Sequence, residues 1–88
     1  MIDGPGYYKY TSPTPNTYGT IKDRIIKVIS VVPNDRRKEW IIVKHKVLKS
    51  EDPYFRNYGI LLDWDLSLDF AKKHFVKMTK KETIMEIL

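Results

Sequence analysis

The run of hydrophobic and polar positions with the highest β-propensity is Glu39–Leu48, Glu-Trp-Ile-Ile-Val-Lys-His-Lys-Val-Leu. β-Branched and aromatic residues dominate the stretch, and no Gly or Pro interrupts it, so a strand is predicted. Successive side chains of a strand point to opposite faces. Ile41, Val43, His45 and Val47 then share one face, which reads as core. Trp40, Ile42, Lys44, Lys46 and Leu48 share the other, apolar at its ends and basic in its middle, and should meet water or an acidic partner. In Ile25–Val32 every residue except Lys27 and Ser30 is Ile or Val, which favours strand over helix. Between the two segments, Pro33 presets its own dihedral and Asn34 and Asp35 bond locally to the backbone. A long antiparallel hairpin over residues 24–48 follows, with residues 33–38 at its solvated tip.

Other elements are shorter. Residues 1–6, with two Gly around Pro5, read as a loose N-terminus. Tyr7–Tyr10 suits a first strand, with Tyr8 and Tyr10 on one face and Tyr7 and Lys9 on the other. Residues 11–20 hold Pro13, Pro15, Asn16 and Gly19 and read as a loop, long enough for a small domain to use in binding. Residues 54–59 read as an aromatic loop that stops at Gly59. Residues 60–65 read as a third long strand, with Ile60, Leu62 and Trp64 on one face. Ser67 suits the N-cap of a short helix over 68–74, with Asp69 favourable in its first turn. Residues 75–79 return to strand, and Lys80-Lys81 reads as a turn. The pattern of Thr83–Leu88 fits strand or helix, with strand slightly favoured.

Several strands with short turns and one short helix near the C-terminus predict a mainly β, β-rich α+β domain. A strongly bent antiparallel sheet, or a partly open barrel of SH3-like or OB-like kind, suits this length. An α+β sheet with one helix packed on it is the alternative. The 88 residues allow one domain with a small core.

Composition narrows the function classes. The chain has no Cys, which excludes a disulfide framework, a thiol nucleophile and any Cys-ligated metal. No basic segment followed by an apolar run opens the sequence, and apolar runs are far too short to span a bilayer, so a soluble, cytoplasmic protein without membrane contact is expected. Net charge is +5. The cations concentrate in residues 22–49 (Lys22, Arg24, Lys27, Arg36, Arg37, Lys38, Lys44, Lys46 and Lys49), which hold only Asp23, Asp35 and Glu39 as acids. The segment 51–69 is acidic, with Arg56 its one cation. This dipolar layout would steer an anionic partner to one side.

No catalytic constellation emerges. His45 falls on the core face, where a buried, hydrogen-bonded role suits it. His74 ends a short helix, where a cation is favoured. Asp63 and Asp65 share a strand face, but spacing places no third ligand, so neither a metal nor another cofactor is expected. No phosphate-cradling loop, nucleophile elbow or paired-histidine zinc motif is present. A non-enzymatic binding module remains. Tyr7, Tyr8, Tyr10, Tyr18, Tyr54 and Tyr58 lie in or beside loops and edges, where a tyrosine offers a flat apolar face and a polar tip. The leading expectation is a protein partner, docked by these aromatic loops or by a free sheet edge, as for an adaptor, accessory protein or inhibitor. The alternative is nucleic-acid binding through Arg24, Lys27, Arg36, Arg37, Lys38, Lys44 and Lys46 with the flanking tyrosines. A homodimer is a further expectation, because an apolar segment such as Thr83–Leu88 left as a free edge would invite pairing.

Overall fold

The computed structural model describes residues 2–11 and 23–88. The greater part of the 11–20 loop, Tyr18 included, lies outside the described residues. Five antiparallel strands and two helices follow in chain order: β1 (Gly6–Tyr10), β2 (Arg24–Pro33), β3 (Trp40–Ser50), β4 (Leu62–Ser67), α1 (Leu68–Lys73), β5 (Phe75–Met78) and α2 (Lys80–Ile87). The strand order is β4-β3-β2-β1-β5. Strands β1 to β4 therefore form a meander, and β5 returns to the far side of β1.

The hairpin of β2 and β3 has the expected tip. The Asn34 side-chain oxygen accepts from the Arg36 amide at 2.9 Å, a local turn bond of the kind Asn makes. The chain re-enters β3 through Glu39, whose φ of 64° is left-handed and unusual for a residue with a Cβ. The Glu39 carbonyl accepts from the Leu68 amide at 2.9 Å, which ties the hairpin tip to the start of α1. Register shifts at Ile25/Ile26 and Val28/Ser30 mark bulges, and bulges bend and twist a sheet.

The bend lets side chains from the two ends of the sheet meet. In a flat sheet, β4 and β5 would lie four strand spacings apart, roughly 19 Å. Yet the rings of Trp64 on β4 and Phe75 on β5 have centroids 5.5 Å apart. Tyr10 on β1 sits 5.3 Å from Trp64 and 5.2 Å from Phe75, and Phe70 of α1 stacks on Tyr10 at 5.8 Å. The concave face is thus a closed core of Tyr8, Tyr10, Ile26, Val28, Ile41, Val43, Val47, Leu66, Ala71 and Phe75, with Leu62 and Trp64 half-buried at its margin. Ser67 caps α1 through its hydroxyl, which accepts from the Phe70 amide at 3.1 Å.

Four expectations need correction. Residues 2–5 are not a loose terminus: Ile2 is buried, and its amide bonds to the Ala71 carbonyl at 3.2 Å. The fourth strand runs from Leu62 to Ser67, two residues later than predicted. The shift preserves which residues point inward but leaves Ile60 exposed. Residues 80–87 form a helix, not a turn followed by a strand, so the described residues hold two helices where one was expected. Thr79 and Glu82 form a capping box: the Thr79 hydroxyl accepts from the Glu82 amide, and the Glu82 carboxylate accepts from the Thr79 amide, each at 3.1 Å. With Thr83–Ile87 helical, a homodimer paired edge-to-edge through that segment loses its basis. Among the described residues, no helix is long and apolar enough to cross a membrane.

The aromatic closure sets an energetic expectation. Phe75→Ala should cost about 3–5 kcal/mol, the usual range for a buried ring, while Val76→Ala, one residue along on the exposed side, should stay within about 0.5 kcal/mol. Urea unfolding of both variants checks this. Equal losses would mean that the two sheet ends are held together by something other than these rings.

Candidate functional site

The convex face of the sheet follows from strand alternation. With Tyr8 and Tyr10 inward, Tyr7 and Lys9 of β1 point outward. Register then aligns Tyr7 with Lys27 of β2 and Lys27 with Lys46 of β3. One row across three strands therefore reads Tyr-Lys-Lys. Two residues along β3, Lys44 points the same way, opposite Ser30 on one side and Asp63 on the other. The Lys27 ammonium lies 5.9 Å from the Tyr7 ring centroid, within cation–π range. Strands β1, β2 and β3 contain Lys9, Arg24, Lys27, Lys44, Lys46 and Lys49 and no Asp or Glu. Among the described residues, Lys27, Lys44 and Lys46 make no ion pair within 4.0 Å. Like charges placed directly opposite across strands are destabilising. The Lys27–Lys46 pair therefore weakens the sheet where it sits.

The residues singled out in the sequence are distributed over several places. Tyr7, Lys27, Lys44 and Lys46 share the convex face. Tyr8 and Tyr10 are core residues, with no ring face free for a partner. The Tyr8 hydroxyl donates to the Asp3 carboxylate at 2.9 Å and lies 3.1 Å from the Gly4 carbonyl. That bond, with Lys77 nearby, holds the Asp3 carboxyl below its ordinary pKa. Burial, then the bond to Asp3, pushes the Tyr8 phenol up. Arg36 and Lys38 are exposed at the hairpin tip. Arg37 stacks on Trp40 at 3.3 Å from the ring centroid and pairs with Asp65 at 3.5 Å, which also accepts from the Asn34 amide group at 3.0 Å. Arg37 is thereby committed to holding the tip against β4.

Tyr54 and Tyr58 stand in the loop between β3 and β4, and both are exposed, Tyr54 at 82%. Ile60 and Leu61 of the same loop are also about half exposed, at 53% and 49%. The loop is fixed to β3 by a bridge between Tyr58 and Val47 and by the Gly59 amide, which donates to the Val47 carbonyl at 3.2 Å. Gly59 has φ 72°, a value that suits glycine there. Sequence reasoning places the Ile60–Leu61 pair in a strand and so misses it as exposed surface.

Arg24 lies at the open end of the concave face, its guanidinium 4.7 Å from the Phe55 ring centroid. With His45, Leu62, Asp63 and Trp64 it lines a cleft of about 220 Å³. The Arg24 Nε is occluded from solvent and has no hydrogen-bond partner among the described residues. His45 is buried, as its place on the core face implied, and its Nδ1 lies 3.0 Å from the Val43 carbonyl. A carbonyl only accepts, so Nδ1 carries the proton and Nε2 keeps the lone pair in the neutral ring. Burial lowers the His45 pKa, the charge of Arg24 lowers it further, and the Val43 carbonyl and Asp63 oppose them. The ring is thus neutral at physiological pH and serves as packing against Trp64, 5.8 Å away.

Compared with protein-family models, curated proteins and solved structures, the chain finds no match.

A group whose folded pKa is depressed binds fewer protons in the native than in the unfolded state. Its contribution to stability is complete above the unfolded value near 6.5 and is lost as pH falls toward the folded value. The melting temperature should therefore fall between pH 7.5 and 5, and His45→Gln should flatten that part of the profile. A parallel decline in both proteins would assign the effect to another group.

Proposed function

We propose that this chain is a non-enzymatic binding module whose convex sheet face takes single-stranded nucleic acid. The observation that carries the reading is the direct cross-strand pairing of Lys27 with Lys46, beside Tyr7 and Lys44, on strands without acids. Folding alone gives no reason to place two ammonium groups opposite each other, since the pair opposes the sheet that carries it. A chain of phosphates removes the conflict and gains from counterion release. Tyr7 adds a ring at the edge of the lysine row, where a base stacks without sequence preference. Across Tyr7, Lys27 and Lys46 the face is open sheet, which suits an open strand better than the grooves of a duplex. The net charge of +5 supports the same class of partner.

A second reading has its own observation. Tyr54, Tyr58, Ile60 and Leu61 expose apolar surface in one short loop, and the loop leads into β4, which among the described residues pairs only with β3. Exposed apolar clusters mark protein contacts, and a free edge accepts an added strand. In this reading an extended segment of a partner protein lies along β4 and packs on the loop.

The nucleic-acid reading is tested by anisotropy titrations with a mixed-sequence single-stranded oligonucleotide across salt. Affinity should fall steeply with salt, and Lys27→Thr with Lys46→Thr should lower the slope of log K against log salt by about 1.4, two contacts at about 0.7 each. The same double variant should keep or raise the melting temperature, because it removes a like-charge pair and adds residues of high β-propensity. Absence of binding at low salt, or binding insensitive to salt, would overturn the reading. In that event Tyr54→Ser with Leu61→Ser, assayed for loss of a co-purifying protein, tests the second.

A further inference from the structure

The lysine row does not end at Lys27 and Lys46. One step along the strands, register aligns Lys9 of β1 with Ile25 of β2, and Ile25 with Lys49 of β3. The bulge at Ile25/Ile26 keeps Lys49 on the convex side. Helix α2 lies over this part of the face. The Lys49 ammonium donates to the Glu86 carbonyl at 2.8 Å, and the Lys9 ammonium pairs with the Glu86 carboxylate at 3.7 Å. Both lysines therefore hold the C-terminal end of α2, where unpaired carbonyls carry the negative pole of the helix. The helix has no cation of its own in its last turn. Lys9, Lys49 and Glu86 also line one small pocket, so the three groups converge on a common space.

The rest of the attachment is slight. Ile25 and Met78 are buried on the convex side, and within the helix Thr83 is the only buried residue. Ile84, Met85, Ile87 and Leu88 are all exposed, Met85 at 69%. A surface helix ordinarily docks by its apolar stripe, and an eight-residue helix is marginal in water without such packing. α2 departs from that pattern: its ties to the sheet are largely electrostatic and lie at its C-terminal end.

We infer that the anion-binding face continues beneath α2, and that Glu86 and the carbonyl end of the helix occupy the place two phosphates take when a nucleic acid binds. Lys9 and Lys49 then belong to the binding site, and α2 is an internal competitor that the strand displaces. A phosphate chain competes well at these positions because each phosphate is a charge-assisted acceptor for the ammonium groups now spent on one carboxylate and one carbonyl. This inference rests on the proposed nucleic-acid reading of the convex face.

The test uses the full chain and the same single-stranded oligonucleotide. Glu86→Gln removes the partner of Lys9, and Asp69→Asn makes an equal charge change on α1, away from the face. Glu86→Gln should tighten binding several-fold more than Asp69→Asn at low salt. Adding the oligonucleotide to the unaltered protein should accelerate amide hydrogen exchange at Thr83 and Leu88, whose amides bond within α2 at 3.0 and 3.1 Å. Lys9→Ala and Lys49→Ala should each reduce the salt slope by about 0.7. If the unaltered protein binds, but the two carboxylate variants behave alike and the α2 amides keep or gain protection, the inference is overturned and α2 is a fixed cap. If the unaltered protein does not bind at all, the nucleic-acid reading itself has failed.

Discussion

The contact between Trp64 and Phe75, with Tyr10 between them, decides the shape of this protein. These rings come from β4, β5 and β1, and two of the three stand on opposite edges of the sheet. Edge-to-face rings gain more than their area alone supplies, and here they also join side chains from the two edges of the sheet. With these rings packed together, side chains fill most of the concave side, apart from the cleft beside Arg24, and the lysine row lies on the convex side. The two bulges in the β2–β3 pairing supply the bend that closure demands.

Closure also explains why charge accumulates where it does. The buried apolar residues of β1, β2 and β3 are directed mostly inward, while the outward positions mix lysines with apolar residues, of which Ile29 and Val32 stay exposed. Ile25 and Met78 on that side are buried. Lys27, Lys44 and Lys46 are left open, although Thr or Glu would satisfy the same pleat at lower electrostatic cost. Places where a sequence departs from what its own fold prefers are where function is to be sought. That argument, and no likeness to another protein, supports the proposed site.

Legibility follows the length and regularity of each pattern. The β2–β3 hairpin is readable because both strands are long, rich in Ile and Val, and flank a turn with Pro33 and Asn34. The inward face of β3 matches its pattern residue by residue, His45 included. The closure is not readable, since nothing in the order of residues says that Trp64 and Phe75 meet across the sheet. Tyr8 and Tyr10 look like binding residues for the same reason: tyrosine suits an edge equally well until closure buries it. Helix α2 is a different case. Thr79-Lys80-Lys81-Glu82 is a capping-box sequence, so the start of α2 is written in the residues themselves. The apolar residues of 84–88 mask that signal, because short runs of Ile and Met fit the strand and helix periods alike. Of the proposed site, Lys27, Lys44, Lys46 and Tyr7 are legible from alternation. Lys9 and Lys49 are not, because their role depends on the register between strands and on where α2 lies.

Strand β3 is the physical link between the two candidate surfaces. Its outward side carries Lys44 and Lys46, and its backbone at Val47 holds Tyr58 and Gly59 of the exposed loop. Neighbouring residues of one strand thus present an electrostatic face and anchor an apolar one. The two surfaces call on different forces: salt weakens the first, while burial of Tyr54, Ile60 and Leu61 depends little on it. On the proposed reading, a nucleic acid on the lysine row would leave the loop's apolar contacts in place. Because β3 lies within the sheet, paired on both sides, it transmits position rather than movement, and the two surfaces can be occupied together without reshaping the core.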